Sequence, residues 1–178
     1  MKRTRIVFSG SGGQGVITAA IMLAEAAVLF EDLNAVQSQD YGAEARGGAT
    51  RSDIIVSDSE IFFPKVTQPN ILVCLTQAAY SKFRSLIRPG GLLLTDSRFV
   101  TIEKKVDAHQ TQLPMWETVS KEIGNPIVYN ICMLGAMVGL TELVRPASIE
   151  KILERRLPAG VLDINKKALA LGVGLATG

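Results

Sequence analysis

Arg5-Ile6-Val7-Phe8-Ser9-Gly10-Ser11-Gly12-Gly13-Gln14-Gly15-Val16 is the stretch whose reading decides the fold. Its first residues form a short apolar run of the kind found in a buried strand. The glycines from Gly10 to Gly15 let the backbone turn sharply before a helix that starts near Gln14 and runs to Phe30. Within that helix Ile17, Ile21, Ala24 and Val28 recur at three- and four-residue intervals, the spacing of one buried face. Ala24 is small enough to let such a helix lie close to a sheet. Residues 34–38 read as the next strand, so the first forty residues make a strand, a crossover helix and a strand, the unit of a parallel sheet.

Working outward, residues 51–56 look extended, and Ser57-Asp58-Ser59 turns them toward Glu60-Ile61-Phe62-Phe63. A hairpin is the simplest reading, and it makes the sheet mixed. Pro64 and Pro69 bracket a connection to Ile71-Leu72-Val73-Cys74-Leu75, an apolar run suited to burial on both faces. Residues 77–87 read as a helix with Ala79, Phe83 and Leu86 or Ile87 inward, stopped by Arg88-Pro89-Gly90-Gly91. Leu92-Leu93-Leu94-Thr95-Asp96 follows as another buried strand. From Met115 onward the periodicity is helical, over 115–123, 127–143, 147–157 and 161–171, with Gly124-Asn125-Pro126, Arg145-Pro146 and Pro158-Ala159-Gly160 as breaks. No linker, repeat or low-complexity tract interrupts the chain. The prediction is one domain over 1–178, an α/β fold that is Rossmann-like and doubly wound, with a mostly parallel mixed sheet and a helical C-terminal third.

Composition narrows the function classes. With 178 residues, 47% of them hydrophobic, the chain can enclose one sizeable core. The net charge of +2 arises from 19 basic and 17 acidic residues, with Lys2, Arg3 and Arg5 crowded at the start, which leaves no basic face for nucleic acid. Aromatic residues are 6% of the chain, too few for base stacking on an exposed sheet. Cys74 and Cys132 are far apart in apolar surroundings, without the C-x-x-C spacing of metal or cluster ligands, and are expected to be core thiols. His109 is the only histidine and sits in a polar stretch, so a triad or a histidine metal site would depend wholly on it. The initial apolar run is broken by glycines, unlike a signal peptide. The apolar stretch 127–144 approaches a membrane span in length, but Asn130, Thr141 and Glu142 interrupt it. Gly135, Ala136 and Gly139 suit close helix packing, so a buried helix is expected.

Two constellations could carry chemistry. Gly10-Ser11-Gly12-Gly13-Gln14-Gly15 fits G-x-G-x-x-G between a strand and a helix, the context in which free amides at a helix N-terminus meet an anion. A nicotinamide dinucleotide site also wants an acid at the end of the second strand; residues 34–39 hold none, and Asp40 comes late. Val16 and Ile17 stand where a phosphate loop needs lysine and a hydroxyl residue, which disfavours a nucleotide triphosphatase. The same glycines equally fit a tight turn with no ligand. The second constellation is Asp40-Tyr41-Gly42-Ala43-Glu44-Ala45-Arg46-Gly47-Gly48-Ala49, a loop at the carboxyl end of a strand, where α/β sheets bind partners. Arg46 offers a planar fork for a carboxylate or phosphate. Alternatively, Glu44 and Arg46 brace a turn while Gly47 and Gly48 take conformations closed to other residues.

Together these segments resemble the gamma subunit, or gamma domain, of the 2-oxoacid:ferredoxin oxidoreductases. The resemblance is carried by residues 10–16 and 41–48, and it continues through the strand after Arg51, through 69–80, Pro89-Gly90-Gly91, 130–139 and 165–172. It covers essentially the whole chain. Ala43 stands where many relatives have proline, and Asp40 where they often have serine, differences that bear on the loop's shape. The resemblance implies a cytoplasmic complex in which thiamine diphosphate, held with Mg2+ on companion subunits, adds to the carbonyl of a 2-oxoacid. Carbon dioxide leaves, 4Fe-4S clusters pass electrons to ferredoxin, and coenzyme A takes the acyl group. It implies that this chain is a noncatalytic subunit that holds neither the thiamine diphosphate nor the clusters, with contact to coenzyme A open, and that it assembles with alpha, beta and ferredoxin-like delta subunits. The short stand-alone form looks like the 2-oxoglutarate type, with pyruvate, branched-chain 2-oxoacids and indolepyruvate open. Gly10, Gly12, Gly13, Gln14, Gly15, Tyr41, Glu44, Arg46, Gly47 and Gly48 are the residues expected to face a companion subunit or a ligand. A stand-alone NAD(P)-dependent oxidoreductase and a purely structural assembly module are the competing readings.

Overall fold

Residues 3–40 and 48–178 are described by the computed structural model. The apolar run at the start forms β1 (Thr4–Gly10), and the glycine turn delivers the chain into α1 (Val16–Phe30). Then come β2 (Asn34–Asp40), β3 (Thr50–Ser57), β4 (Ile71–Cys74), α2 (Gln77–Phe83), β5 (Gly91–Asp96) and β6 (Ala108–Leu113). The last third is helical: α3 (Met115–Glu122), α4 (Tyr129–Thr141), α5 (Pro146–Arg156) and α6 (Ala159–Thr177). The strands form one sheet in the order β2-β3-β1-β4-β5-β6, with β1, β4, β5 and β6 parallel and β3 antiparallel to both of its neighbours. The mixed α/β architecture is the one expected from the sequence.

Several local expectations are corrected. β1 and β2 do run in the same direction, but β3 lies between them, so they are not adjacent. Residues 60–63 form no strand: β3 is already paired on both sides and has no edge left to offer. Phe62 and Phe63 are instead exposed, at 81% and 65%. β6 escapes the sequence reading because its residues are polar. Its side chains hold the neighbouring loop, with Gln112 Nε2 donating to the Val100 carbonyl at 2.8 Å and Gln110 Nε2 to that of Glu103 at 2.7 Å.

α1 also turns a different face inward. Val16, Ala19, Ala20, Leu23, Ala26 and Ala27 are buried, whereas Val28 is exposed and Ile17, Ile21 and Ala24 are half-buried. The helix is apolar around most of its circumference, so periodicity gives no unique answer. The alanines win the sheet side because a face without bulk can approach the strands closely.

Two apolar layers flank the sheet. Ile6, Phe8, Ile54, Val56 and Leu94 join α1 and the C-terminal helices on one face. Val7, Ile55, Leu72, Cys74 and Leu93 join Ala79, Tyr80 and Phe83 of α2 on the other. The stretch read as a buried helix is α4, ten of whose residues are buried. Its glycines do permit close packing: a Cβ on Gly135 would strike the Leu169 carbonyl oxygen, and one on Gly139 would sit 2.7 Å from the Ala176 Cβ. Among the described residues, no helix is long and apolar enough to cross a membrane.

Candidate functional site

β1 and β4 are parallel neighbours, yet β1 feeds α1 on one face while β4 feeds α2 on the other. Where two such connections part, the carboxyl ends of the strands border a crevice, the usual ligand position in open α/β sheets. The Leu75 amide donates to the Ser9 carbonyl at 3.0 Å and holds the two strand ends together.

The glycine turn forms one lip of this crevice. The Gln14 side chain folds back beneath it, its Oε1 accepting from the Ser11 amide at 2.7 Å. Ser11, Gly12 and Gly13 are exposed, and within the described residues the Gly12 and Gly13 amides make no hydrogen bond. Gly13 and Gly15 have φ of 84° and 75°, a left-handed conformation that a Cβ disfavours. Gly15 caps α1 without a side-chain hydrogen bond, and the first turn holds no acidic residue. Exposed amides and an uncapped helix N-terminus give the lip an anion-favouring character.

The sheet brings both ends of the connection that carries the second constellation to the same side. Gly10 lies opposite Thr50, and Arg51 opposite both Ser9 and Asp40, so the connection from Asp40 to Thr50 begins and ends at the carboxyl end of β1. Tyr41, Glu44, Arg46 and Gly47 lie outside the described residues; Gly48 is half-buried where the chain re-enters the sheet. Beside this return, Arg51 pairs with Asp53 at 2.6 Å and donates from Nη2 to the Val66 carbonyl at 2.6 Å.

A buried polar group beneath the crevice was not singled out from the sequence. Asp96, at the end of β5, is fully buried. It accepts from the Arg98 amide at 2.9 Å, the Trp116 amide at 2.8 Å and the Tyr129 hydroxyl at 2.8 Å. The next residue, Asn130, donates from Nδ2 to the Gly15 carbonyl at 3.2 Å, an oxygen that also accepts from the Ala19 amide at 3.0 Å. An acid closing an apolar strand was the visible signal for Asp96; Asn130 had none, being 115 residues from its partner.

Burial pushes the Tyr129 hydroxyl well above its ordinary range, and the Asp96 charge and hydrogen bond add to the rise. Burial pushes the Cys132 thiol up to about 12, with Asp96 adding to it. The Cys74 thiol also rises to about 12 through burial, opposed by donation from the Ser9 hydroxyl. Both cysteines are the core thiols expected, and as buried thiols they are poor nucleophiles at neutral pH. They lie on opposite faces of the sheet, Cys74 with α2 and Cys132 with the C-terminal helices, and cannot converge on one cluster.

The likenesses to known proteins cover the same extent. Residues 5–175 match the family model "Pyruvate ferredoxin/flavodoxin oxidoreductase". The chain is 44% identical over 176 residues to "2-oxoglutarate synthase subunit KorC" of Methanocaldococcus jannaschii, covering 98% of this chain and 94% of that protein. It is 38% identical to the protein of the same name from Methanothermobacter thermautotrophicus, covering 96% and 93%. Among solved structures, the keto/oxoacid ferredoxin oxidoreductase gamma subunit from Geobacter sulfurreducens PCA is 40% identical, superposes with a TM-score of 0.91 and covers 99% of this chain and 98% of that one. By sequence over nearly its whole length, and by a fold matched at that identity, the chain belongs to the pyruvate ferredoxin/flavodoxin oxidoreductase family.

Proposed function

We propose that this chain is the gamma subunit of a 2-oxoglutarate:ferredoxin oxidoreductase, a single gamma-type domain whose crevice lip meets companion subunits and the coenzyme A that accepts the acyl group. The relatives named as 2-oxoglutarate synthase subunits support the substrate. The observation that carries the site is the exposed lip at the β1–β4 divergence, where glycine amides without a hydrogen bond among the described residues and a helix N-terminus without a side-chain cap suit a phosphorylated ligand.

The residues present do not fit the other groups of the reaction. The two thiols are buried apart, and among the described residues no cluster of histidine, cysteine or carboxylate side chains could hold a metal. On the family resemblance, thiamine diphosphate with Mg2+, the 4Fe-4S clusters and the contact with ferredoxin are assigned to alpha, beta and delta companions, and this chain supplies shape and anion binding in a cytoplasmic assembly. The alternative of a stand-alone nicotinamide enzyme has less support: β3 separates β2 from β1, so an acid at the end of β2 is about 10 Å from the glycine turn, two strand spacings away.

The test is co-purification with companion subunits, followed by 2-oxoglutarate-dependent dye reduction with and without coenzyme A. Gly12 has nothing within 4 Å of where a side chain would start, so Gly12→Trp leaves the chain folded and obstructs the lip. The expected result is a KM for coenzyme A raised about tenfold or more in the complexes that form, with co-purification of the companion subunits scored separately. A second arm is Arg46→Ala, expected to weaken assembly or turnover. Oxidation of a nicotinamide substrate by the chain alone, or a complex indifferent to both substitutions, overturns the reading.

A further inference from the structure

The first turn of α4 reaches two places at once. Consecutive residues on a helix point about 100° apart, and here Tyr129 points to the end of β5 while Asn130 points to the turn after β1. Both are nearly inaccessible, at 2% and 8% exposure. The strand between those two ends is β4, so the turn of α4 bridges the crevice floor from β5 to β1.

The bridge has a rigid mounting. Asp96 fixes its β5 end, since a buried carboxylate with three donors has little freedom to shift. α6 fixes it from behind: a Cβ on Gly172 would meet the Cys132 carbonyl oxygen and come 2.7 Å from the Ala136 amide nitrogen, so the two helices are already in backbone contact. Asn130 therefore arrives at the turn from an element that does not yield. Its contact with the turn is equally close, for a Cβ on Gly15 would lie 2.6 Å from Asn130 Nδ2 and 3.0 Å from its Cβ.

We propose that Asn130 is a positioning residue for the glycine turn: its carboxamide, mounted on α4 and anchored next door by Tyr129 on Asp96, holds the Gly15 carbonyl and so fixes the direction in which the Gly12 and Gly13 amides face the crevice. The Gly15 carbonyl has two donors, one from within α1 and one from Asn130. The second ties the far end of the turn to α4, while Gly10 at its start is held by β3, and a Cβ on Gly12 or Gly13 would have open space around it among the described residues. A ligand held by preset amides gains from this arrangement, since a floppy loop must first be ordered. This role rests on the reading of the lip as the coenzyme A side of the crevice.

Two measurements test it, one of them independent of activity. The backbone order parameters of Gly12, Gly13 and Gly15 in the isolated full chain are expected to drop from a rigid value near 0.85 to below about 0.6 in Asn130→Ala. The assembled complex carrying Asn130→Ala or the isosteric Asn130→Asp is expected to show a KM for coenzyme A raised roughly tenfold, with kcat at saturation changed less than about twofold. Tyr129→Phe, which keeps Asn130 but loosens its mounting, provides a milder variant with a smaller shift in the same direction. Unchanged order parameters overturn the proposal, as does a fall in kcat at constant KM, which is the signature of a merely structural role. Gly12→Trp separates the two ideas. If it raises KM while the Asn130 variants do not, the positioning role fails and the lip reading stands. If Gly12→Trp has no effect, the lip reading fails, and the positioning role for coenzyme A fails with it.

Discussion

Alanine placed in turn at Gly12, Gly13 and Gly15 should give a graded loss of stability that follows local geometry. Gly12 is outside the left-handed region and has open space around it, so Gly12→Ala is neutral, or stabilises by up to about 0.5–1 kcal/mol through the unfolded chain. Gly13 has φ of 84° and open space. An L-residue there is strained by about 1–2 kcal/mol, partly offset by the same unfolded-state gain, for a net loss of about 1 kcal/mol. Gly15 adds a collision to the strain: its new methyl would lie 2.6 Å from Asn130 Nδ2, so Asn130 must rotate away and its hydrogen bond is lost. That adds about 0.5–1.5 kcal/mol for the bond and brings the total to roughly 1.5–2.5 kcal/mol. For a chain of this length each kcal/mol moves Tm by about 2–4 °C, so Gly15→Ala should melt about 3–10 °C lower and Gly13→Ala about 2–4 °C lower. Thermal unfolding followed by circular dichroism reads the series directly. Equal losses at Gly12 and Gly15, or a neutral Gly15→Ala, would refute the picture of a turn clamped at one end and free at the other.

Three further outcomes are expected. Tyr129→Phe removes one of three donors from the fully buried Asp96; urea unfolding should show a loss of about 1.5–3 kcal/mol, the range for hydrogen bonds to charged groups. Both thiols have folded values near 12 against ordinary values of 9.0. Their stabilising contribution is complete below pH 9 and is lost as pH rises from 9 toward 12, because the unfolded chain gives up those protons first. The slope should approach about 1.4 kcal/mol per pH unit for each thiol, and Cys74→Ala with Cys132→Ala should flatten it; an unaltered slope in the double variant removes the assignment. Gly172→Ala drives a methyl into the Cys132 carbonyl oxygen and should force α4 from α6, costing about 1–3 kcal/mol in the same urea assay.

What the sequence disclosed, and what it hid, follows the range of the forces involved. The glycine turn was legible because its cause is local: positive φ at Gly13 and Gly15 selects glycine within a few residues of an apolar strand. The C-terminal helices were legible for the same reason, with Pro146 and the residues after Pro158 marking their starts. The buried face of α1 was not, since Val16, Ile17, Ile21 and Val28 are equally apolar and only the strands beneath decide which of them turns inward. β6 was hidden because an edge strand buries little, and its glutamines look like loop until their partners at Val100 and Glu103 are seen. Strand order was hidden most fully. Nothing local in Arg51 to Val56 states that this strand slips between β1 and β2. The Asp96–Tyr129 and Gly15–Asn130 bonds are likewise products of the assembled fold, joining residues 33 and 115 positions apart.

The insertion of β3 changes what the glycine motif means. In a sheet where the second strand lies directly beside the first, G-x-G-x-x-G and an acid on that second strand flank one dinucleotide. Here the strand beside β1 is antiparallel and enters at Thr50, opposite Gly10, directly from the connection that carries Tyr41 to Gly48. The neighbour of the glycine turn is therefore the end of a long hairpin connection between β2 and β3, and Asp40 is displaced to the sheet edge. Two motifs some thirty residues apart in sequence thus have their bases on adjacent strands. Arg51 follows the connection, is opposite Ser9 and Asp40, and is held by Asp53 and the Val66 carbonyl. The G-x-G-x-x-G spacing alone could not distinguish a nicotinamide enzyme from a subunit of a larger assembly; the antiparallel strand beside β1 weighs against the nicotinamide reading by setting the end of β2 two strands away.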